Sequence, residues 1–270
     1  MDLTISLAQI DIALGNPAAN LGKAAEWTAE AARRGSDLIV FPEMWTTGFD
    51  WERLPVLASR QAEVIDAVAE LARQHRIWIN GSMLALDENG QPTNTSILFD
   101  SQGEQTGVYR KVHLFGLMNE DQYLAAGQHL TTVETSWGQS GLAICYDLRF
   151  AEIFRTYALQ GVNLVYLPAE WPHPRLAHWQ TLLRARAIEN QMYMVGVNRV
   201  GTDGTHQFFG HSAIIDPWGD IIIEGGESEV LLTATIDTDA VIKVREQIPV
   251  FKDRRPELYD FRLSPHDRSV

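Results

Sequence analysis

Alternating polar and apolar residues at the start of the chain predict a half-buried β-strand over residues 3–10, with Leu3, Ile5 and Leu7 on one face. From residue 20 the apolar spacing becomes helical, and the pattern ends at residues 33–35. Residues 38–41 are wholly apolar, which is typical of a strand buried on both faces. A second helical pattern covers residues 62–71. Strands are predicted at residues 77–85, 93–99 and 106–110, joined by hairpin turns at 87–90 and 100–103.

The second half of the chain repeats this order. It has a strand at residues 142–145, a helix at 150–160, a strand at 164–167 ending at Pro168, and a helix at 179–188. Further strands are predicted at 192–197, 210–215, 220–224 and 230–236, with a turn at 216–219. Each half therefore forms one sheet, which needs helices on one face and the other sheet on the opposite face. The prediction is an α/β (α+β) fold, a four-layer α-β-β-α sandwich.

No linker separates the halves, so residues 1–247 are predicted to form a single domain. Residues 248–270 are rich in proline and charge and are expected to form an irregular tail. The tail begins with the apolar run Ile248-Pro249-Val250-Phe251, so we expect it to pack at a subunit interface.

Charge and cysteine content exclude several classes of function. The net charge of −13 argues against a nucleic acid or an anionic membrane as partner, since either requires a basic face. A single cysteine excludes an intramolecular disulfide. The first fifteen residues lack the basic region of a signal peptide, and no apolar stretch is long enough to span a bilayer. A cytoplasmic location is expected.

That one cysteine lies where the second half begins. The apolar residues 142–144 stop at Cys145, Tyr146-Asp147 break the pattern, and helical spacing starts at Phe150. The thiol is therefore predicted at a corner just before a helix start, where oriented N–H groups favour the thiolate. A free cysteine is more often a small buried hydrophobe, so this position alone assigns no role.

Two charged residues occupy positions like that of Cys145, at or just beyond the end of a predicted strand. Glu43 follows the buried strand at 38–41, and Lys111 ends the strand at 106–110. Taken singly, the glutamate suits a salt bridge or a helix cap, and the lysine suits a solvated loop. Together with Cys145, however, they all stand at carboxyl ends of strands, where ligands collect in open sheets. They supply a base, a cation and a nucleophile for acyl transfer. Replacing Glu43 or Lys111 is expected to cost little stability.

Three segments also carry a family resemblance. FPEMWTTGF (41–49), YRKVHLF (109–115) and CYDLRFAE (145–152) resemble, in order, the signature motifs of the nitrilase or carbon–nitrogen hydrolase superfamily. The resemblance implies that Glu43 is the general base, Lys111 the oxyanion-stabilising cation and Cys145 the nucleophile. It further implies that Glu120 is a second glutamate acting beside the lysine. The fold it implies is the same sandwich, commonly dimerised through the helices beside the cysteine.

Within the superfamily, segments 41–49, 170–191 and 246–259 most resemble the omega-amidase branch. That branch hydrolyses the terminal amide of 2-oxoglutaramate and 2-oxosuccinamate through a cysteine thioester, releases ammonia and needs no cofactor. The alternatives are a nitrilase, another aliphatic or carbamoyl amidase, and a non-catalytic binding protein on the same fold.

Three residues are candidates for substrate binding. Trp45 and Trp171 lie just beyond strand ends on the predicted active side. Arg175 is the candidate partner for a remote substrate carboxylate, which needs a local cation in so acidic a protein. The alternative for Arg175 is an ion pair with Glu170. Arg149 is a weaker candidate, since it suits a pair with Glu152.

A metal site is not expected, because the histidine pairs 173/178 and 206/211 lack the spacing of two ligands on one helix face.

Overall fold

Two six-stranded sheets packed face to face form the centre of the computed structural model, which describes residues 1–259. The last part of the predicted tail, residues 260–270, lies outside the described residues. The strands are β1 (Asp2–Gln9), β2 (Leu38–Val40), β3 (Trp78–Leu86), β4 (Pro92–Phe99), β5 (Gln105–Arg110), β6 (Thr131–Thr135), β7 (Gly138–Leu142), β8 (Leu164–Ala169), β9 (Tyr193–Asn198), β10 (Val200–Thr202), β11 (Gln207–Phe209), β12 (Ala213–Ile215), β13 (Ile221–Glu224) and β14 (Val230–Asp237). The helices are α1 (Pro17–Arg33), α2 (Leu54–Ser59), α3 (Gln61–His75), α4 (Glu120–Tyr123), α5 (Ala151–Leu159), α6 (Leu176–Asn190) and α7 (Ala240–Gln247).

The two sheets have the same internal plan. The first runs β14–β1–β2–β3–β4–β5, and its central strands β1, β2 and β3 are parallel. The second runs β13–β12–β9–β8–β7–β6, with β7, β8 and β9 parallel. In each sheet antiparallel strands flank this parallel centre. The repeat predicted from the order of elements is confirmed, but the assignment of each half to one sheet is not, because β14 of the second half pairs with β1 and completes the first sheet.

Strand β2 illustrates why the layers stack. Leu38 and Val40 belong to the apolar cluster that also contains Leu142 and Val195 of the second sheet. Ile39 instead joins a separate cluster that includes residues of the helices α1 and α3. Both faces of β2 are therefore buried, one against the other sheet and one against helices. The predicted four-layer sandwich is confirmed.

Strand ends in the second sheet differ from the prediction. The strand predicted at 142–145 corresponds to β7, which ends at Leu142. The backbone N–H of Ile144 donates to the Asp147 carboxylate at 2.9 Å, so it is not available to pair with another strand. The strand predicted to stop at Pro168 continues to Ala169. Its pairing with β7 ends at Tyr166, so the missing N–H of Pro168 interrupts no bond to that strand.

Other elements escaped the sequence pattern. The strand predicted at 210–215 is shorter, because β12 begins only at Ala213. An unpredicted strand, β11, ends at Phe209, just before Gly210, which has a φ of +68°. Strand β6 is a largely polar edge strand, and α2, α4 and α7 have at most eight residues, too few for a clear period.

The predicted tail, as far as it is described, contacts the rest of the chain. Ile248 accepts a hydrogen bond from Gln191 Nε2 at 2.8 Å through its carbonyl oxygen, and the Arg245 guanidinium lies 5.2 Å from the centre of the Phe251 ring. None of the helices in residues 1–259 combines the length and apolarity needed to cross a bilayer.

Candidate active site

A lysine held between two carboxylates lies at the end of the first sheet. Lys111 follows β5, and its Nζ donates to Glu43 Oε1 at 2.7 Å and to the Glu120 oxygens at 2.8 and 2.7 Å. Asn94 Nδ2 donates to Glu43 at 2.7 Å and to Glu120 at 3.2 Å. The three charged side chains are at most 1% exposed. We call Glu43, Lys111 and Glu120 the catalytic cluster, after the role that the sequence predicts for them.

The charges of the catalytic cluster determine its protonation. Burial lowers the pKa of Lys111, but the charges of Glu120 and Glu43 outweigh burial and hold that pKa above its ordinary value. Burial raises the pKa of Glu120, against the opposing charge of Lys111. The lysine is therefore a fixed ammonium ion, with its N–H groups directed by two carboxylates.

Glu43 is oriented by both halves of the chain. Its Oε1 accepts from Lys111 and Asn94, and its Oε2 accepts from the backbone N–H of Glu170 at 2.8 Å. Glu170 directly follows β8, just as Glu43 lies just beyond β2, so the carboxyl ends of the two sheets meet at this carboxylate.

Cys145 sits on the turn after β7, in a left-handed conformation with φ of +44°. A cysteine rarely adopts this conformation, and neighbouring bonds hold it there. Asp147 Oδ2 accepts from Ile144 N at 2.9 Å and from the Tyr109 hydroxyl at 2.7 Å, and Oδ1 lies 2.9 Å from His113 Nδ1. Asp147 thus ties the cysteine turn to the chain on either side of Lys111.

The protonation state of the Cys145 thiol differs from the thiolate that its position in the sequence was expected to favour. Burial and the Glu43 charge raise the pKa of Cys145 well above its ordinary value, although Lys111 opposes them. The helix that was expected to favour the thiolate is α5, which starts only at Ala151 after a short turn over Cys145–Arg149. Cys145 is therefore a neutral thiol, which must lose its proton as it attacks.

A pocket with an empty volume of about 230 Å³ opens over the cysteine. It is lined by Phe115, Cys145, Tyr146, Arg149, Glu170, Trp171, Pro172 and Arg175. We call Arg149, Trp171 and Arg175 the pocket wall. The structure thus brings Trp171 and Arg175 to the same pocket as the cysteine, as their sequence positions suggested.

Neither predicted ion pair of the two arginines forms. Glu170 pairs with Arg199 at 3.0 Å instead of Arg175, whose guanidinium lies 5.6 Å from the Phe115 ring centre. Arg149 lies 4.7 Å from the Trp171 ring centre and 3.3 Å from His178 Nδ1, rather than against Glu152. Burial and the charge of Arg149 lower the pKa of Arg175. Both cations therefore face the pocket without a carboxylate partner in residues 1–259.

Trp45 requires a correction. Its indole is fully buried, stacks on Phe41 with ring centres 4.6 Å apart, and belongs to the apolar cluster between the first sheet and its helices. It packs so closely on Gly81 that a Cβ there would lie 2.7 Å from Nε1. Trp45 is absent from the lining of the pocket over Cys145, so within the described chain it is a core residue beside the site.

Sequence reasoning missed four polar residues that hold the site: Asn94, Asp147, Glu170 and Arg199. Glu170 had the clearest signal, because it follows an apolar strand as Glu43 does. Burial raises the pKa of Glu170 to about 7, with Arg199 opposing and Glu43 reinforcing the shift. In residues 1–259 no group of three or more His, Cys, Asp or Glu side chains could hold a metal ion.

Known proteins with the same fold and sequence pattern identify the family. The family model described as carbon-nitrogen hydrolase matches residues 4–246. A 2-oxoglutaramate amidase from Bacillus subtilis (strain 168) is 42% identical over 96% of this chain and 100% of its own length. The omega-amidase NIT2 of Homo sapiens is 30% identical over 89% of this chain and 91% of its own. A CN-hydrolase superfamily protein from Xanthomonas campestris, solved with an arsenic adduct in its active site, superposes with a TM-score of 0.89 at 31% identity, covering 98% of this chain and 100% of that one. The chain belongs to the carbon–nitrogen hydrolase, or nitrilase, superfamily.

Proposed function

We propose that this protein is an omega-amidase, which hydrolyses the terminal amide of 2-oxoglutaramate, 2-oxosuccinamate and similar omega-amides and releases ammonia. The observation that carries the proposal is the position of Cys145 between the buried catalytic cluster and a small pocket lined by two arginines. Cys145 beside the catalytic cluster suits acyl transfer. The small pocket with two arginines suits a short substrate with a remote carboxylate. The names of the amidase relatives support the same substrate class.

The first half-reaction forms a thioester. Glu43 takes the Cys145 proton as the sulfur attacks the amide carbon and the C–S bond forms. Lys111 stabilises the negative charge on the carbonyl oxygen. All three of its N–H groups bond to Glu43 and Glu120 in the resting site, and the bond to Glu43 weakens once Glu43 is protonated, which frees one donor worth roughly 3–4 kcal/mol. Glu43 then passes the proton to the departing nitrogen, the C–N bond breaks, and ammonia leaves.

The second half-reaction restores the enzyme. Water attacks the thioester carbon while Glu43 accepts a proton from it, and the C–S bond breaks. The proton on Glu43 returns to the Cys145 sulfur. The new carboxyl group loses its own proton to the released ammonia or to water, and the product is a dicarboxylate. Glu120 keeps Lys111 in place in both steps, since it accepts two of the hydrogen bonds of the ammonium group.

Substrate profiling tests the proposal. Purified protein is given 2-oxoglutaramate, butyramide, an N-carbamoyl amino acid and butyronitrile, and ammonia release is measured, with Cys145→Ala as the control. We expect kcat/KM to be highest for 2-oxoglutaramate. A preference for the nitrile or the carbamoyl compound would identify the enzyme as a nitrilase or a carbamoyl amidase. Absence of turnover on every compound, although 2-oxoglutaramate still binds, would instead indicate a binding protein.

We also propose that the protein is a homodimer formed through α5 and α6, with the tail from residue 248 packed beside them. Leu159 and Ile188, on or near these helices, are 48% and 50% exposed, and Ile248 is 45% exposed. Light scattering should give twice the 30.3 kDa chain mass, and charged substitutions at Leu159 and Ile188 should reduce it to the mass of one chain. The single domain over residues 1–247 and the cytoplasmic location stay predictions.

A further inference from the structure

Glu170 is the acidic side chain in the lining of the pocket over Cys145. It is fully buried at the end of β8, and its backbone N–H donates to Glu43 Oε2 at 2.8 Å. Its Oε2 accepts from Arg199 Nη1 at 3.0 Å. Its Oε1, although buried, has no hydrogen-bond partner in residues 1–259. An acceptor of this kind is costly unless a bound molecule supplies a donor.

Arg199 determines which oxygen of Glu170 stays available. The Arg199 side chain is fully buried, and its Nη2 donates to Asp11 Oδ1 at 2.9 Å and to the Ile12 carbonyl at 3.1 Å. Its guanidinium lies 4.4 Å from the centre of the Phe208 ring. These contacts fix the guanidinium, which in turn holds Oε2. The carboxylate cannot turn to satisfy Oε1 without losing the ion pair.

A carboxamide needs both hydrogen-bond donors and hydrogen-bond acceptors from the pocket. Its carbonyl oxygen accepts, and its nitrogen carries two N–H donors. The charged side chains that line the pocket beside Glu170 are Arg149 and Arg175, which can only donate. Glu43, beyond the lining, already accepts three hydrogen bonds. Glu170 Oε1 is therefore an unused buried acceptor in the pocket lining, whereas Asn94 Oδ1, which is also buried without a partner in residues 1–259, lies outside that lining.

We propose that Glu170 Oε1 accepts a hydrogen bond from the N–H of the substrate carboxamide, which makes the site select amides over esters and nitriles. This inference rests on the proposed amidase function and names how the same site recognises the scissile group. Esters and nitriles have no N–H to offer, so they leave Oε1 buried and unpaired. Sites built to bind a substrate N–H reject analogues that lack it for this reason.

Glu170→Gln converts the acceptor into a donor. Arg199 requires an oxygen opposite its Nη1, so the amide nitrogen of the introduced glutamine takes the place of Oε1 and faces the substrate N–H. Above pH 7, where Glu170 with its pKa of about 7 is ionised, kcat/KM for butyramide should fall roughly 10- to 100-fold, the range of one hydrogen bond to a charged group. For methyl butyrate, which has the same acyl chain, we expect kcat/KM to change less than about threefold.

Asp11→Asn is the matched control. Asp11 holds the far side of Arg199 and is half-exposed, so its loss disturbs the same network without changing Oε1. A merely structural role for Glu170 predicts equal losses on amide and ester in both variants. Equal losses in Glu170→Gln would therefore overturn the inference.

A binding measurement covers the case in which Glu170→Gln does not fold. In Cys145→Ala, which retains Glu170, calorimetry compares butyramide with methyl butyrate. We expect the amide to bind at least about tenfold more tightly, and equal affinities would contradict the inference. Both experiments compare butyramide with methyl butyrate, which are both uncharged. They therefore remain decisive if 2-oxoglutaramate is not hydrolysed. That result would contradict the proposed substrate alone.

Discussion

The catalytic cluster and the pocket wall meet at Cys145 but differ in how their charges are satisfied. Glu43, Lys111 and Glu120 are fully buried and bond to one another. Arg149 and Arg175 are half-buried and contact mainly aromatic rings. The side chains of the catalytic cluster are thus held in place by ion pairs with one another. The arginines of the pocket wall have no carboxylate partner in residues 1–259, so their N–H donors can bind a substrate. Variants of the cluster should change kcat and stability, and variants of the wall should change KM.

The largest effect is expected where the two regions meet. Cys145→Ala should abolish ammonia release, since alanine cannot form the thioester. Stability should change little, because the variant shortens one side chain and keeps the turn fixed by Asp147. Ammonia assays and thermal unfolding measure the two quantities. Turnover within tenfold of the wild type would remove Cys145 from the mechanism.

Lys111→Met should affect both rate and stability. Loss of the oxyanion donor should lower kcat roughly 100- to 1000-fold. It also leaves two buried carboxylates without their cation, so unfolding free energy should fall by about 3–5 kcal/mol. This corrects the expectation from the sequence that the replacement would cost little stability.

Arg110→Met is the control for this variant. Arg110 is the preceding residue and pairs with Glu88, which is largely exposed. We expect it to cost no more than about 1 kcal/mol and to leave kcat near the wild-type value. Denaturant titration of both variants decides whether burial of the ion pair is the cause. Equal losses of stability would show that the catalytic cluster is no more strongly coupled than a surface pair.

How much of the fold and of the candidate site could be predicted from the sequence depends on which interactions are local. The carboxyl ends of predicted strands brought Glu43, Lys111 and Cys145 together, because parallel strands direct their ends to one edge. The same rule misplaced Trp45, since position beyond a strand does not determine whether a ring faces the pocket or the core. Asp147 escaped notice because two of its partners, Tyr109 and His113, lie 38 and 34 residues away along the chain.

Arg175→Ala tests the pocket wall. If its guanidinium binds the remote carboxylate, KM for 2-oxoglutaramate should rise ~10–100-fold, as expected for a hydrogen bond between charged groups. Hydrolysis of butyramide should hardly change. Arg184→Ala is the control, because Arg184 lies on α6, which Arg175 directly precedes, and bonds to the Gly219 carbonyl away from the pocket. Equal losses of Arg175→Ala on both substrates would exclude the clamp.

Glu43→Gln should lower kcat by orders of magnitude, because the variant lacks the base of both half-reactions, and its smallest expected effect is a shift in the pKa of the Cys145 thiol. The Glu43 charge helps to raise the pKa of Cys145, so its removal should lower that pKa, while burial keeps it above the ordinary value. Alkylation by iodoacetamide depends on the thiolate and rises as pH passes through the thiol pKa, so the midpoint of the rate profile should move to lower pH. Glu152→Gln, on the exposed side of α5, should leave the midpoint unchanged. An unchanged midpoint in Glu43→Gln would mean that burial alone controls the thiol, and that the catalytic cluster acts on the substrate rather than on the resting nucleophile.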